Sequence, residues 1–110
     1  MKLPNRKNAY IPEGKLADYL LSESHPVGGS KAKFFRGLGF DEENIDQLAK
    51  SFLQIGKKND VKNVRKFLYG TNYTIEGRIE APVGKTVRIV TVWFMKTEKN
   101  RPGFVTAYPV

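Results

Sequence analysis

The hydrophobic period changes once along this chain, at Gly56-Lys57-Lys58-Asn59-Asp60. Before that polar break apolar side chains recur at helical spacing, and after it they alternate. Ile45, Leu48, Ala49, Phe52 and Ile55 form an amphipathic stripe that stops at Gly56. Asp41 is its expected N-cap, with Glu42 and Glu43 complementing the positive end of the helix dipole. Upstream, residues 1–12 read as an extended lead-in punctuated by Pro4 and Pro12. Glu13 to Leu21 reads as a short helix with Leu16, Tyr19 and Leu20 on one face. Ser22 to Gly29 is a loop, because Pro26 disfavours helix at His25 and Gly28-Gly29 permits unusual backbone angles. Ser30 can cap a further helix over about residues 31–37, carrying Phe34, Phe35 and Leu38 and ending near Gly37 and Gly39.

Past the break, Val61 to Leu68 reads as an edge strand and Tyr73 to Glu80 as an alternating strand. Ala81-Pro82-Val83-Gly84 is a turn. Thr86 to Met95, dense in Val, Ile, Thr, Trp and Phe, is the strongest strand signal. Lys96 to Gly103 is a polar loop, and Phe104 to Tyr108 is a last strand stopped by Pro109. Helices first and strands after, with short connections, predict an α+β fold: about three N-terminal helices packed on a C-terminal antiparallel sheet of about four strands. At 110 residues the chain is expected to form a single domain, mainly helical over 1–56 and mainly strand over 57–110. Its single Trp93, inside an apolar strand, reads as core rather than as a base-stacking platform.

Charge narrows the function classes. Nineteen basic against 11 acidic residues leave a net charge of +8, which favours polyanionic partners: RNA, DNA or an acidic protein. No apolar run approaches the ~20 residues that span a bilayer, and Met1 to Asn8 has no apolar signal core, so a cytoplasmic protein with no membrane partner is expected. The absence of cysteine excludes disulfides and thiolate metal sites, and a lone histidine argues against a zinc site within the chain. No metal and no cofactor are expected, and no phosphate-binding loop, dinucleotide fingerprint or nucleophile elbow is present.

That lone histidine, His25, is the side chain whose ordinary pKa lies nearest neutrality. Lys31 and Lys33 follow it near a helix N-terminus, where they and the backbone N–H groups of Gly28 to Lys31 suit a phosphate. The combination fits a ribonuclease-like site, in which a base takes a 2′-OH proton and cations hold the phosphate. Arg88 interrupts an apolar strand on the parity of Thr86, Val90, Val92 and Phe94, and is a candidate to line a substrate cleft. Thr106 and Tyr108 share a face of the last strand by the two-residue period. Lys57, Lys58, Lys62, Arg65 and Lys66 form a basic run that reads as solvated surface.

Tyr19-Leu20-Leu21-Ser22-Glu23-Ser24-His25-Pro26-Val27-Gly28-Gly29-Ser30-Lys31-Ala32-Lys33-Phe34-Phe35, with Tyr69-Gly70, Tyr73, Thr91-Val92-Trp93-Phe94 and Val105-Thr106-Ala107-Tyr108-Pro109, resembles a small bacterial family of unknown-function domains. Members of that family occur alone or at the C-termini of polymorphic toxins. They look related to the Barnase–EndoU–colicin–RelE superfamily of metal-independent ribonucleases, whose folds place N-terminal helices against a four-stranded antiparallel sheet. The resemblance implies an endoribonuclease of toxin type, with His25 in proton transfer, Lys31 stabilising phosphate and Thr106 completing the catalytic group. Lys33, Arg88 and Tyr108 would contact substrate. It also implies an acidic antitoxin or immunity protein matched to the +8 surface. The rival reading is a non-catalytic basic module that binds RNA or protein on the same fold, and a third is an accessory subunit of a toxin or mobile-element locus.

Overall fold

The structure, a computed structural model, describes residues 1–25 and 29–110; Pro26, Val27 and Gly28 of the expected loop lie outside the described residues. Among the described residues the fold is α+β, with a π-helix over Lys15–Leu20, α1 over Gly29–Gly37 and α2 over Ile45–Lys58 packed on a four-stranded antiparallel sheet. The strands are β1 Asn63–Phe67, β2 Gly70–Glu80, β3 Thr86–Lys96 and β4 Gly103–Pro109, and their order in the sheet follows the chain. β2 and β3 pair along their whole length, from Gly70 opposite Lys96 to Glu80 opposite Thr86.

Alternation decides which face is covered. Tyr73, Ile75 and Ile79 of β2 and Ile89, Thr91 and Trp93 of β3 are buried and face the helices. They join Leu3, Leu16, Leu20, Phe35, Leu48, Phe52 and Phe104 in one cluster drawn from both halves of the chain. Each fully buried Leu or Phe contributes about 1.5–3 kcal/mol through the water it sheds. The rings of Phe52 and Phe104 stack with centroids 4.9 Å apart, tying α2 to β4. Trp93 is core, as its setting predicts: its Nε1 donates to Thr91 Oγ1 at 2.8 Å, and that hydroxyl donates to the Ile75 carbonyl at 2.9 Å. Both buried polar groups are therefore satisfied.

Four local expectations are corrected. The helix expected over Glu13 to Leu21 starts late and is wound wider. Gly14, at φ 82°, sits in the left-handed region before it, and the Leu21 N–H donates to the Leu16 carbonyl five residues back at 2.8 Å. Ser30 lies inside α1 rather than capping it, since the helix already begins at Gly29. Asp41 does not cap α2. It accepts from the Glu43 N–H at 2.8 Å, an Asx turn, while Asn44 Oδ1 takes the Asp41 N–H at 2.8 Å, and the helix begins only at Ile45. The extended lead-in contains a 3₁₀ turn at Arg6–Asn8, and Tyr10 then runs parallel beside Gly103 on the outer edge of β4.

β4 carries a bulge. Val92 pairs with Thr106 but Trp93 with Phe104, so Val105 is an extra residue. Phe104 and Ala107, three residues apart, are both buried as a result. Thr106 and Tyr108 lie beyond the bulge and keep their shared parity, opposite Val92 and Val90.

Candidate functional site

The π-helix, α1 and β4 meet at one hydroxyl, that of Tyr19. Leu16 and Leu20 of the π-helix are buried and anchor it to the core, which leaves Tyr19 half-buried between β4 and α1. The Tyr19 hydroxyl and Thr106 Oγ1 lie 3.1 Å apart and share a hydrogen bond that either can donate. Lys31, in the first turn of α1, donates from Nζ to the same hydroxyl at 3.2 Å. The His25 ring stands edge-on to the Tyr19 ring, with centroids 5.0 Å apart and planes at 87°. The Lys15 ammonium lies 4.9 Å from the Tyr19 ring centroid and that of Lys31 5.8 Å.

His25 is held at its backbone on both sides. Its N–H donates to the Ser22 carbonyl at 3.2 Å, and its carbonyl accepts from the Gly29 N–H at 3.0 Å, at the start of α1. Three candidates separated by up to 81 residues of chain, His25, Lys31 and Thr106, thus converge through a tyrosine that the helical stripe had assigned to packing. The signal that could have found Tyr19 is the hydroxyl itself, at the outer margin of a stripe otherwise made of leucine.

The electrostatics of that hydroxyl follow from its neighbours. Partial burial pushes its pKa up. The hydrogen bonds with Thr106 and Lys31 and the positive charges of Lys31 and Lys15 pull it down, and together they prevail, leaving it below the ordinary tyrosine value. The group can accept and donate hydrogen bonds, present positive charge to an anion and lose a proton more readily than a free phenol.

Arg88 does not join it. On β3 it stands four residues from Val92, the partner of Thr106, a separation of about 13 Å along the strand. Its guanidinium is ion-paired with Glu76, which also accepts from Lys62 Nζ at 2.9 Å. These bonds from Lys62 and Arg88 hold the Glu76 carboxyl at about 2. Arg88 lines a broad cavity of about 780 Å³ between α2 and the far end of β2, a surface separate from the Tyr19 group. Lys33 is exposed on α1, and Tyr108, 37% exposed, lies opposite Val90. The Gly28 N–H expected at the phosphate lies outside the described residues. Among the described residues no three His, Cys, Asp or Glu side chains come together as a metal-binding group, and no helix is long and apolar enough to cross a membrane.

Among curated proteins none matches the chain. A solved structure with the same fold is a chain of a contact-dependent growth inhibition toxin–immunity protein complex from Klebsiella pneumoniae 342, at 21% identity and a TM-score of 0.73, with 96% of each chain covered. Residues 2–110 match the profile of a domain of unknown function, DUF6883, and the chain belongs to that family.

Proposed function

We propose that the group around Tyr19 is the active site of a metal-independent endoribonuclease of toxin type. The observation that carries this reading is the convergence of Lys31 Nζ and Thr106 Oγ1 on the Tyr19 hydroxyl, with the His25 ring against the same tyrosine. His25 takes the proton of an RNA 2′-OH, and the 2′ oxygen bonds to the adjacent phosphorus. The bond from phosphorus to the 5′ oxygen breaks, and that oxygen takes a proton from the acidified Tyr19 hydroxyl. The products are a 2′,3′-cyclic phosphate and a 5′-hydroxyl, and water returns His25 and Tyr19 to their starting protonation. Lys31 holds the charge that builds on the phosphoryl oxygens, and Thr106 keeps the tyrosine hydroxyl in place. Lys33, exposed on α1, and Tyr108, two residues beyond Thr106 on β4, are the outer substrate contacts of this reading.

The likeness to a chain of a toxin–immunity protein complex supports a toxin-like role on this fold, and the net charge of +8 suits an acidic immunity protein in the cytoplasm. The test is cleavage of total bacterial RNA in EDTA. The wild type is expected to leave cyclic-phosphate ends, and His25→Ala and Tyr19→Phe to lose about 10²- to 10⁴-fold in rate while remaining folded. No cleavage by folded wild type overturns the reading. The basic surface would then support the second one, a non-catalytic module binding RNA or protein.

A further inference from the structure

Three residues along β4 from the Tyr19 group lies a second, differently built surface. Tyr10 runs beside Gly103, its N–H donating to the Pro102 carbonyl at 3.1 Å and its carbonyl accepting from the Phe104 N–H at 2.9 Å. That pairing fixes the Tyr10 ring over Gly103, where an added Cβ would stand 3.1 Å from the ring. The Arg101 guanidinium lies over the same ring, 4.1 Å from its centroid. Between Tyr10, Phe94 and the β3–β4 loop opens a cleft of about 370 Å³, whose rim carries Lys96, Lys99 and Arg101. Among the described residues no acidic side chain lines it. Phe94 is only partly covered, although it sits mid-sheet opposite Asn72. Phe94 as an aromatic floor, the planar Arg101 cation held on the Tyr10 ring and two exposed ammonium groups form the combination that stacks a base and pairs with its phosphates.

Position links this cleft to the site. Val105 lines it, and the next residue, Thr106, holds the Tyr19 hydroxyl. Gly103 and Thr106 are about 10 Å apart along the strand, a spacing that neighbouring nucleotides of an extended strand can bridge. The volume falls in the range of small-ligand pockets, about 300–1,000 Å³.

We infer that the Tyr10–Phe94–Arg101 cleft is a nucleotide subsite, taking one base and its phosphate from single-stranded RNA beside the bond cleaved at Tyr19. The inference rests on the ribonuclease reading for the identity of the strand, and binding without turnover separates the two. The probes are a fluorescent 2′-O-methyl oligoribonucleotide, which lacks the attacking hydroxyl, an abasic oligomer of equal charge, and polyglutamate as a competitor. Wild type is expected to prefer the base-bearing probe by about tenfold, the effect of one stacked base. Tyr10→Leu and the exposed Arg101→Gln should each reduce that preference to about twofold or less. His25→Ala, which leaves the cleft intact, should retain it. Equal binding of the two oligomers by wild type overturns the subsite, as does Arg101→Gln binding with the wild-type preference. Displacement by polyglutamate as effective as by the oligonucleotide also overturns it and makes the cleft an acidic-protein interface. Base-dependent binding without cleavage refutes the catalytic reading alone, and cleavage without base preference refutes the subsite alone.

Discussion

Tyr19 shows how a wider backbone turn brings a residue that the apolar stripe assigns to packing against polar partners. In a regular helix the residues at 16, 19 and 20 would share one apolar face, and the sequence supports that reading. The wider π turn keeps Leu16 and Leu20 in the core while Tyr19 stays half-buried and reaches Thr106. Hydrophobic periodicity carries no information on whether a turn closes at four residues or at five, so this part of the site was not legible in the sequence. His25 and Lys31 were singled out by their residue types and the glycines between them, and the structure brings both to Tyr19. The lowered pKa of Tyr19 is directly testable. Its phenolate is favoured in the folded state, so the stability linked to it is present above the ordinary tyrosine value and is lost as pH falls through the lowered one. Titration of phenolate absorbance, wild type minus Tyr19→Phe, should show a midpoint below the ordinary value of about 10, and Lys31→Met should move it upward. A midpoint unmoved by Lys31→Met would show that the ammonium does not act on the hydroxyl.

At the scale of elements, β2 and β3 were legible because one face of each is buried, and burial imposes an alternation that a sequence displays, whereas β1 is exposed along its whole length. Helix ends were read less well. Asp41 and Asn44 both have capping side chains, but their oxygens go to the Glu43 and Asp41 N–H groups in local turns, and α2 starts without a side-chain cap. The bulge at Val105 was equally hidden, since it depends on pairing with β3 rather than on the composition of β4. Two glycines in helices make opposite predictions. A Cβ at Gly56 would come within 2.8 Å of Trp93 Cζ2, whereas at Gly37 it would meet nothing within 4 Å. Helix propensity alone favours alanine at either place by up to about 1 kcal/mol. Gly56→Ala should nevertheless destabilise, because forcing α2 away from β3 costs about 1–3 kcal/mol. Gly37→Ala should be neutral or raise the denaturant midpoint. Equal stabilisation by both would mean that the contact of α2 with Trp93 yields more readily than a packed core should.

For the whole molecule, a net charge of +8 guarantees some attraction to any nucleic acid, so affinity by itself discriminates poorly between a site and a sticky surface. The sequence shows the charge but not its distribution. Two lysines of equal formal charge stand in different settings: Lys62 is already paired with Glu76, while Lys31 donates to a neutral hydroxyl. Salt dependence separates them, because each phosphate neutralised on a single strand releases counterions and contributes about −0.7 to the slope of log affinity against log salt. If Lys31 holds a phosphate, Lys31→Met should make the slope for the 2′-O-methyl oligonucleotide shallower by about 0.7, and Lys62→Met should leave it almost unchanged. The measurement is a salt series on each variant with that one probe. Equal shifts from both substitutions would mean that RNA senses only the summed charge. A shift confined to Lys31 would place a phosphate at the Tyr19 group, where the ribonuclease reading needs it.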